Sequence, residues 1–369
     1  MKTPWPSAPK GRDHYLYSIG LVNPLICEQE SVKLSELTRL IRVRRVTNHI
    51  GKRLLGYEAI NVSNKLGQLA WNSQEVVSPN SDHVYAAFDH LGFPPSGHRE
   101  WYCRKYEHSD IAIEVKFPKN DIRHSNDMYF TARDELASAV ASLRLIYRSG
   151  VGIIGPVQVR AHPSIGGSAI SLGSPEDPNI SCFHSSGELL KLTLADCREL
   201  KRLFSAIRNG LPSPVELALR RLNLSSTRRS IEDAIVDSVI GLEAIYLPTD
   251  SGELRYRLSA RCAAHLESDA QSRIDLFERI GWLYDVRSGI VHGNVGSLRA
   301  SKKMKVKAPF SDEKEVAKFA LDVLRRGLKK IILDLHTGLE WATFTKDVDG
   351  ALLTGLPAKP TGGRRHHRG

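Results

Sequence analysis

From Leu194 to Leu339 the apolar residues recur at three- and four-residue steps through one segment after another, and stripes of that period are buried together only by packed helices. The clearest segment is Ile231, Ile235, Val239, Leu242 and Tyr246, widened by Ala234 and Ile245 and stopped by Pro248, Asp250 and Gly252. Upstream, Thr193 and Asp196 have the spacing of an N-cap, and Leu200, Leu203, Phe204 and Ile207 carry a stripe to Asn209-Gly210. Pro212 and Pro214 interrupt it, and Val215, Leu219 and Leu222 predict a short helix ending near Asn223. Leu254, Leu258, Arg261, Cys262 and Leu266 outline a further helix, and Ile274, Phe277, Ile280, Gly281 and Tyr284 the one after it. Ser311 is placed to cap a long last helix whose stripe is Val316, Phe319, Val323, Leu328, Ile331, Leu335 and Leu339.

The N-terminal half has a different period. Ile111 to Phe117 alternate as a strand does, and Pro118-Lys119-Asn120 end the run. Thr131, with Asp134 three residues on, is read as the start of a helix whose face holds Leu136, Val140, Leu143 and Tyr147, and alternation returns at Val157 and Val159 after Gly155-Pro156. The fold class is therefore α+β: a mixed α/β domain over residues 1–190 followed by an all-α helical bundle over residues 191–345. A chain of 369 residues suits two such cores. Residues 346–369 thin to Gly, Pro and the basic run Arg364-Arg365-His366-His367-Arg368, a composition expected of a disordered tail.

Charge narrows the partners. Lys and Arg outnumber Asp and Glu by 52 to 41, a formal charge of +11, so a polyanion is a plausible partner, because cations gain affinity by displacing counterions from phosphates. Candidate RNA contacts are Arg39, Arg42, Arg44 and Arg45, with Lys52 and Arg53 beyond, and Lys302, Lys303 and Lys305 in the basic linker before the last helix. The alternative is that they line a solvated strand edge or helix face.

Other function classes find little support. No apolar run approaches the roughly eighteen residues of a membrane span. Met1-Lys2-Thr3-Pro4-Trp5-Pro6 leads into no apolar stretch, so neither a secretory signal nor an anchor is expected, and the cytoplasm is the expected location. Five cysteines scattered singly suit reduced, structural thiols. His98, Cys103 and His108, like Cys182 and His184, lack a second pair at ligand spacing, so no metal is expected. Gly150-Val151-Gly152-Ile153-Ile154-Gly155 matches a dinucleotide fingerprint, but it follows a helix and enters a strand. A phosphate cradle needs the reverse order, and no cofactor is expected.

One stretch carries chemistry. Arg287-Ser288-Gly289-Ile290-Val291-His292, followed by Gly293, sets a permanent cation and a titratable imidazole five positions apart. It closes an ordered series: Gly241-Leu242-Glu243-Ala244-Ile245, then Glu253 to Arg261 with its Leu258-Ser259-Ala260-Arg261, then Leu283-Tyr284-Asp285-Val286-Arg287 through His292-Gly293. In that order the segments resemble the HEPN superfamily, and within it the Apea-like branch, over roughly residues 194–341. The family hallmark is an Arg separated from a His by four to six residues, which Arg287 and His292 satisfy. The resemblance implies metal-independent RNA cleavage by a homodimer of helical bundles, with two Arg/His pairs meeting in one cleft. It also implies a place in defence or stress response.

The residues suit that chemistry. Cleavage of a phosphodiester by the neighbouring 2′-hydroxyl needs a base, an acid and positive charge for the developing dianion. An imidazole such as His292 can fill either proton-transfer role, and the guanidinium of Arg287 can fork onto two phosphate oxygens. Ser288 follows the Arg where many family members carry a larger polar residue such as Asn, Asp or His, and its hydroxyl can still bond to phosphate. Glu243 either orients Arg287 or lies exposed on its helix. Five positions along an ideal helix turn by about 140°, so Arg287 and His292 share no face of an unbroken one. Either the helix breaks at Gly289 and His292 folds back, or the pair works across a symmetric dimer. In the competing structural reading, Arg287 pairs with Glu243 inside the bundle or holds the end of its helix, and His292 caps carbonyls before Gly293. The alternative function is then a non-catalytic module that dimerises or binds nucleotide or RNA, with the N-terminal domain as a sensor.

Overall fold

The computed structural model describes residues 15–23, 25–27, 29, 31–42, 111–116, 125–147, 151–161, 170–171, 179–180, 190–250, 252–293 and 310–354. Their fold is mixed α+β and dominated by helices. It divides into two compact units, Met1–Leu143 with Ser149–Ser205, and Arg144–Arg148 with Ala206–Gly369.

In the first unit β1 (Tyr15–Asn23), β3 (Ser31–Lys33), β4 (Thr38–Arg42), β5 (Ile111–Lys116), β6 (Gly152–Ala161) and β7 (Ile170–Ser171) form an antiparallel sheet in the order β3-β4-β5-β1-β6-β7. β2 (Leu25–Cys27) pairs in parallel with β8 (Leu190–Leu192). The strand expected at 111–117 is β5. Gly152 to Gly155 of the glycine-rich motif are the first residues of β6, so that motif continues into a strand. The register sets Leu40 against Ile113 and Thr38 against Val115, all four buried. Thr38 and Ser35 both donate their hydroxyls to Glu135, a buried carboxylate on α1 (Ser125–Ile146).

α1 begins six residues before Thr131, which lies inside it rather than capping it. Its sequence already carries Met128 and Tyr129 at helical spacing from Ala132 and Leu136, and no Pro or Gly interrupts it, so the helix starts upstream of Thr131. α2 (Leu194–Arg208) starts where the spacing of Thr193 and Asp196 predicts: the Thr193 hydroxyl accepts from the Asp196 N–H at 3.2 Å, and the Asp196 carboxylate accepts from the Thr193 N–H at 2.9 Å.

The second unit is built on α3 (Ser213–Thr227), α4 (Ile231–Tyr246) and α7 (Glu313–His336), each packed on the other two. Ser230 caps α4 by accepting from the Asp233 N–H, and Ile235, Val239, Leu242, Ile245 and Tyr246 are all fully buried. Each such apolar side chain contributes about 2 kcal/mol. α4 and α7 approach closely: a Cβ on Gly327 would lie 2.8 Å from the Tyr246 hydroxyl, so only glycine fits that crossing. Asp312, not Ser311, is the N-cap of α7, accepting from the Glu315 N–H. Glu315 in turn reaches back to the N–H and hydroxyl of Ser311, so the expected cap residue serves one position earlier. α3 runs four residues past Asn223. Near the end of α1, Arg144 donates to Asn223 at 3.0 Å and buried Arg325 donates to the carbonyls of Leu145 and Ile146.

α5 (Leu254–Leu266) and α6 (Ala270–Val291) pack on one another and on α4, and α8 (Phe344–Thr354) packs on α5. Residues 346–354, expected to begin a disordered tail, are therefore helical. Phe344, Val348 and Ala351 are buried, and Asp349 takes both bonds of a fork from Arg261 at 2.7 and 2.9 Å. That partner lies 88 positions away and leaves no local trace. Arg261 is also bonded to Asp250 at 2.5 Å and to the Tyr246 carbonyl at 2.7 Å. Beneath α8, His265 is 2 % exposed, with its Nδ1 2.7 Å from the Tyr246 hydroxyl and its ring edge-on to Phe344. Among the described residues no helix is long and apolar enough to cross a membrane.

Candidate functional site

The site is assembled on α6 and α4. α6 is capped by Asp269, which accepts from the Ser272 N–H, and it runs unbroken through Gly289 to Val291. A glycine inside a helix costs only about 1 kcal/mol, so Gly289 does not end it. The stop is Gly293. Its φ of +74° is the left-handed turn that glycine adopts freely, with its N–H bonded to the Ile290 carbonyl. The expected break at Gly289 is thus corrected, and His292 does not fold back: it is the C-cap residue, its backbone N–H bonded to the Ser288 carbonyl at 3.1 Å.

An unbroken helix separates the two side chains. Arg287 lies about 40° or less from the rows of Leu276, Ile280 and Leu283, which are buried, while Ser288 and His292 fall in line with Gly281, about 100° and about 140° from Arg287. The Arg287 side chain is accordingly 24 % exposed, whereas His292 is exposed and its imidazole has no hydrogen-bond partner among the described residues.

Glu243, one turn before the end of α4, meets Arg287. The Arg287 Nη2 donates to Glu243 Oε2 at 3.3 Å, and the Nε–H of Arg287 is buried with no acceptor among the described residues. Two other guanidinium groups of this unit are better filled. Arg255 puts both Nε and Nη2 on Asp285 at 2.8 and 3.0 Å, and Arg261 does the same on Asp349. Of these three Arg287 has half a fork, and Arg279 and Arg325 of the same unit likewise bury an Nε–H that has no partner among the described residues. Burial pushes the Glu243 carboxyl above the usual carboxylate range, and the charge of Arg287 offsets only part of that rise.

The structure therefore joins Arg287 to Glu243 and sets Ser288 and His292 on another side of the same helix. Arg39 is exposed on β4 of the first unit, where it opposes Glu114 in the register. The side chain of Arg42, and Arg44, Arg45, Lys302, Lys303 and Lys305, lie outside the described residues, as do His98, Cys103, His108, Cys182 and His184. Reading the sequence missed Asp285 as the partner of Arg255. It also missed the covering of Gly281 by that guanidinium, which would lie 3.1 Å from a Cβ there. The close Arg-over-Gly approach gives glycine a packing role in α6. A glycine in mid-helix between Ile280 and Tyr284 was the only signal available for it.

No protein-family model, no curated protein and no solved structure matches this chain.

Proposed function

We propose that the helical unit is a HEPN-like, metal-independent endoribonuclease acting as a homodimer, with Arg287 binding the scissile phosphate and His292 as general acid or base. The observation that carries the reading is the half-filled fork of Arg287. A guanidinium with one weak carboxylate contact and an Nε–H that meets no acceptor among the described residues keeps an edge suited to two oxygens on one phosphorus. The imidazole of His292 stands exposed and unpartnered among the described residues, as a group that must meet substrate should.

Their divergence around α6 favours a composite site. One subunit presents Arg287 and His292 on different sides of one helix, so a two-fold partner facing the end of α6 would supply the complementary group. Attack by the 2′-hydroxyl would pass its proton to one imidazole, Arg287 would neutralise the phosphorane oxygens, and a second imidazole would protonate the leaving 5′-oxygen. The N-terminal α+β unit would act as the sensor, and a role in defence or stress response rests on the family resemblance.

Incubation of the purified protein with labelled RNA in excess chelator tests this. Cleavage by the wild type that is lost in both Arg287→Ala and His292→Ala is the expected result. Equal cleavage by all three proteins, or none by the wild type, overturns it. A strict monomer at micromolar concentration overturns the composite cleft.

A further inference from the structure

Resting on that reading of Arg287 as a phosphate site, we infer that Glu243 is a resident placeholder: in the unliganded protein its carboxylate occupies the position on Arg287 that a phosphate oxygen takes when substrate binds. The comparison within one unit leads there. Arg255 and Arg261 each hold a carboxylate by both hydrogens of the Nε/Nη2 edge, with distances between 2.7 and 3.0 Å. At Arg287 the same edge meets one oxygen of Glu243 at 3.3 Å and leaves the Nε–H without an acceptor among the described residues. Both side chains are about equally shielded, at 24 % and 22 % exposure, so neither is a freely solvated surface charge.

Such a contact is strong enough to aim the guanidinium and too poor to satisfy it. A phosphodiester offers two non-bridging oxygens at the spacing the fork requires and spreads a full negative charge over them. It would complete the edge that Glu243 leaves open. To do so it must displace Glu243 Oε2, and a carboxylate left close to a bound phosphate repels it. Burial already raises the Glu243 carboxyl and Arg287 offsets only part of that rise, so a carboxylate that yields Arg287 to a phosphate is left shielded and uncompensated, a cost that the bound phosphate must meet. Glu243 is thus a positioning residue that competes with the ligand, and it sets the affinity of the site downward.

The charge, rather than the hydrogen bond, is what opposes the phosphate. Glu243→Gln separates the two, since its amide oxygen still accepts from Arg287 while the negative charge is gone. The experiment is fluorescence anisotropy of a labelled short 2′-O-methyl RNA, which has no free 2′-hydroxyl to attack, on wild type, Glu243→Gln, Arg287→Ala and the double variant. Far-ultraviolet circular dichroism and the urea midpoint confirm that each is folded.

Glu243→Gln is expected to tighten binding about fivefold, the equivalent of removing a partly shielded competing ion pair. The gain is expected to vanish when Arg287→Ala is added. Unchanged or weaker binding by Glu243→Gln, with binding still lost in Arg287→Ala, overturns the placeholder and leaves Arg287 as the phosphate site. Binding by Arg287→Ala equal to wild type overturns the phosphate site itself, and with it the placeholder, as does an absence of binding by all four proteins.

Discussion

Acid should loosen the helical unit through one histidine. His265 is buried between α5, α4, α7 and α8. The Tyr246 hydroxyl meets its Nδ1, its Nε2 has no partner among the described residues, and Lys330 donates to its carbonyl at 2.5 Å. Burial first, and then the charge of Lys330, push its pKa down to about 3 from the ordinary 6.5. Its other titratable surroundings, Tyr246 and Cys262, are both pushed well above their usual ranges by burial, so both stay neutral and offer no compensating negative charge.

The sign follows from proton uptake. A pKa depressed on folding gives a contribution that is complete above the unfolded value of about 6.5 and is lost as pH falls toward the folded value, at about 1.4 kcal/mol per pH unit. Between about pH 7.5 and about pH 5 the loss amounts to about 2 kcal/mol, and carried down to the folded value it reaches about 4 kcal/mol. The perturbation is His265→Gln, whose amide can keep a bond to Tyr246 and takes up no proton. Urea titration followed by circular dichroism, at both pH values, should show the wild type losing about 2 kcal/mol more than the variant. Equal losses would refute the reasoning, because carboxylates common to both proteins would then account for all of the acid sensitivity.

Other perturbations read different parts of the structure. Arg261→Met should destabilise the unit by about 3 kcal/mol and free α8 from α5, since Asp250 and Asp349 lose the cation that holds them. Urea unfolding, with amide exchange along α8, would detect it, and exchange no faster than wild type would rule it out. Gly327→Ala should cost about 1–3 kcal/mol although alanine favours helices by about 1 kcal/mol, because the new methyl group meets the Tyr246 hydroxyl. A variant as stable as wild type by urea midpoint would contradict that crossing. Arg287→Lys keeps the charge and loses the fork, so chelator-resistant RNA cleavage should fall by about tenfold or more, and a fully active lysine variant would exclude bidentate phosphate binding.

The helices from α2 to α7 were legible because their information is local. Caps such as Thr193 with Asp196, the stripe from Ile231 to Tyr246, and stops such as Pro248 act within a few residues, so they leave a pattern in the order of amino acids. At Gly289 the sequence left two arrangements open, a break that folds His292 back or a pair working across a dimer, and the backbone removes the break, with φ positive at Gly293 and not at Gly289. The start of α1 was placed too late because Thr131 with Asp134 has the spacing of a cap inside the helix, and α8 was missed because a single helix with three buried side chains is a weak pattern beside a basic, glycine-rich terminus.

The sequence by itself determined a helix-rich C-terminal half, the order of its segments, and an Arg and a His five positions apart. Tertiary structure alone decided which acid each arginine meets: Asp285 for Arg255, Asp349 and Asp250 for Arg261, Glu243 for Arg287. The physical reason is that a charge has no periodicity. Any of the many carboxylates could satisfy a guanidinium, and the choice, including how completely each fork is filled, is made by the distances at which packed helices hold their backbones apart.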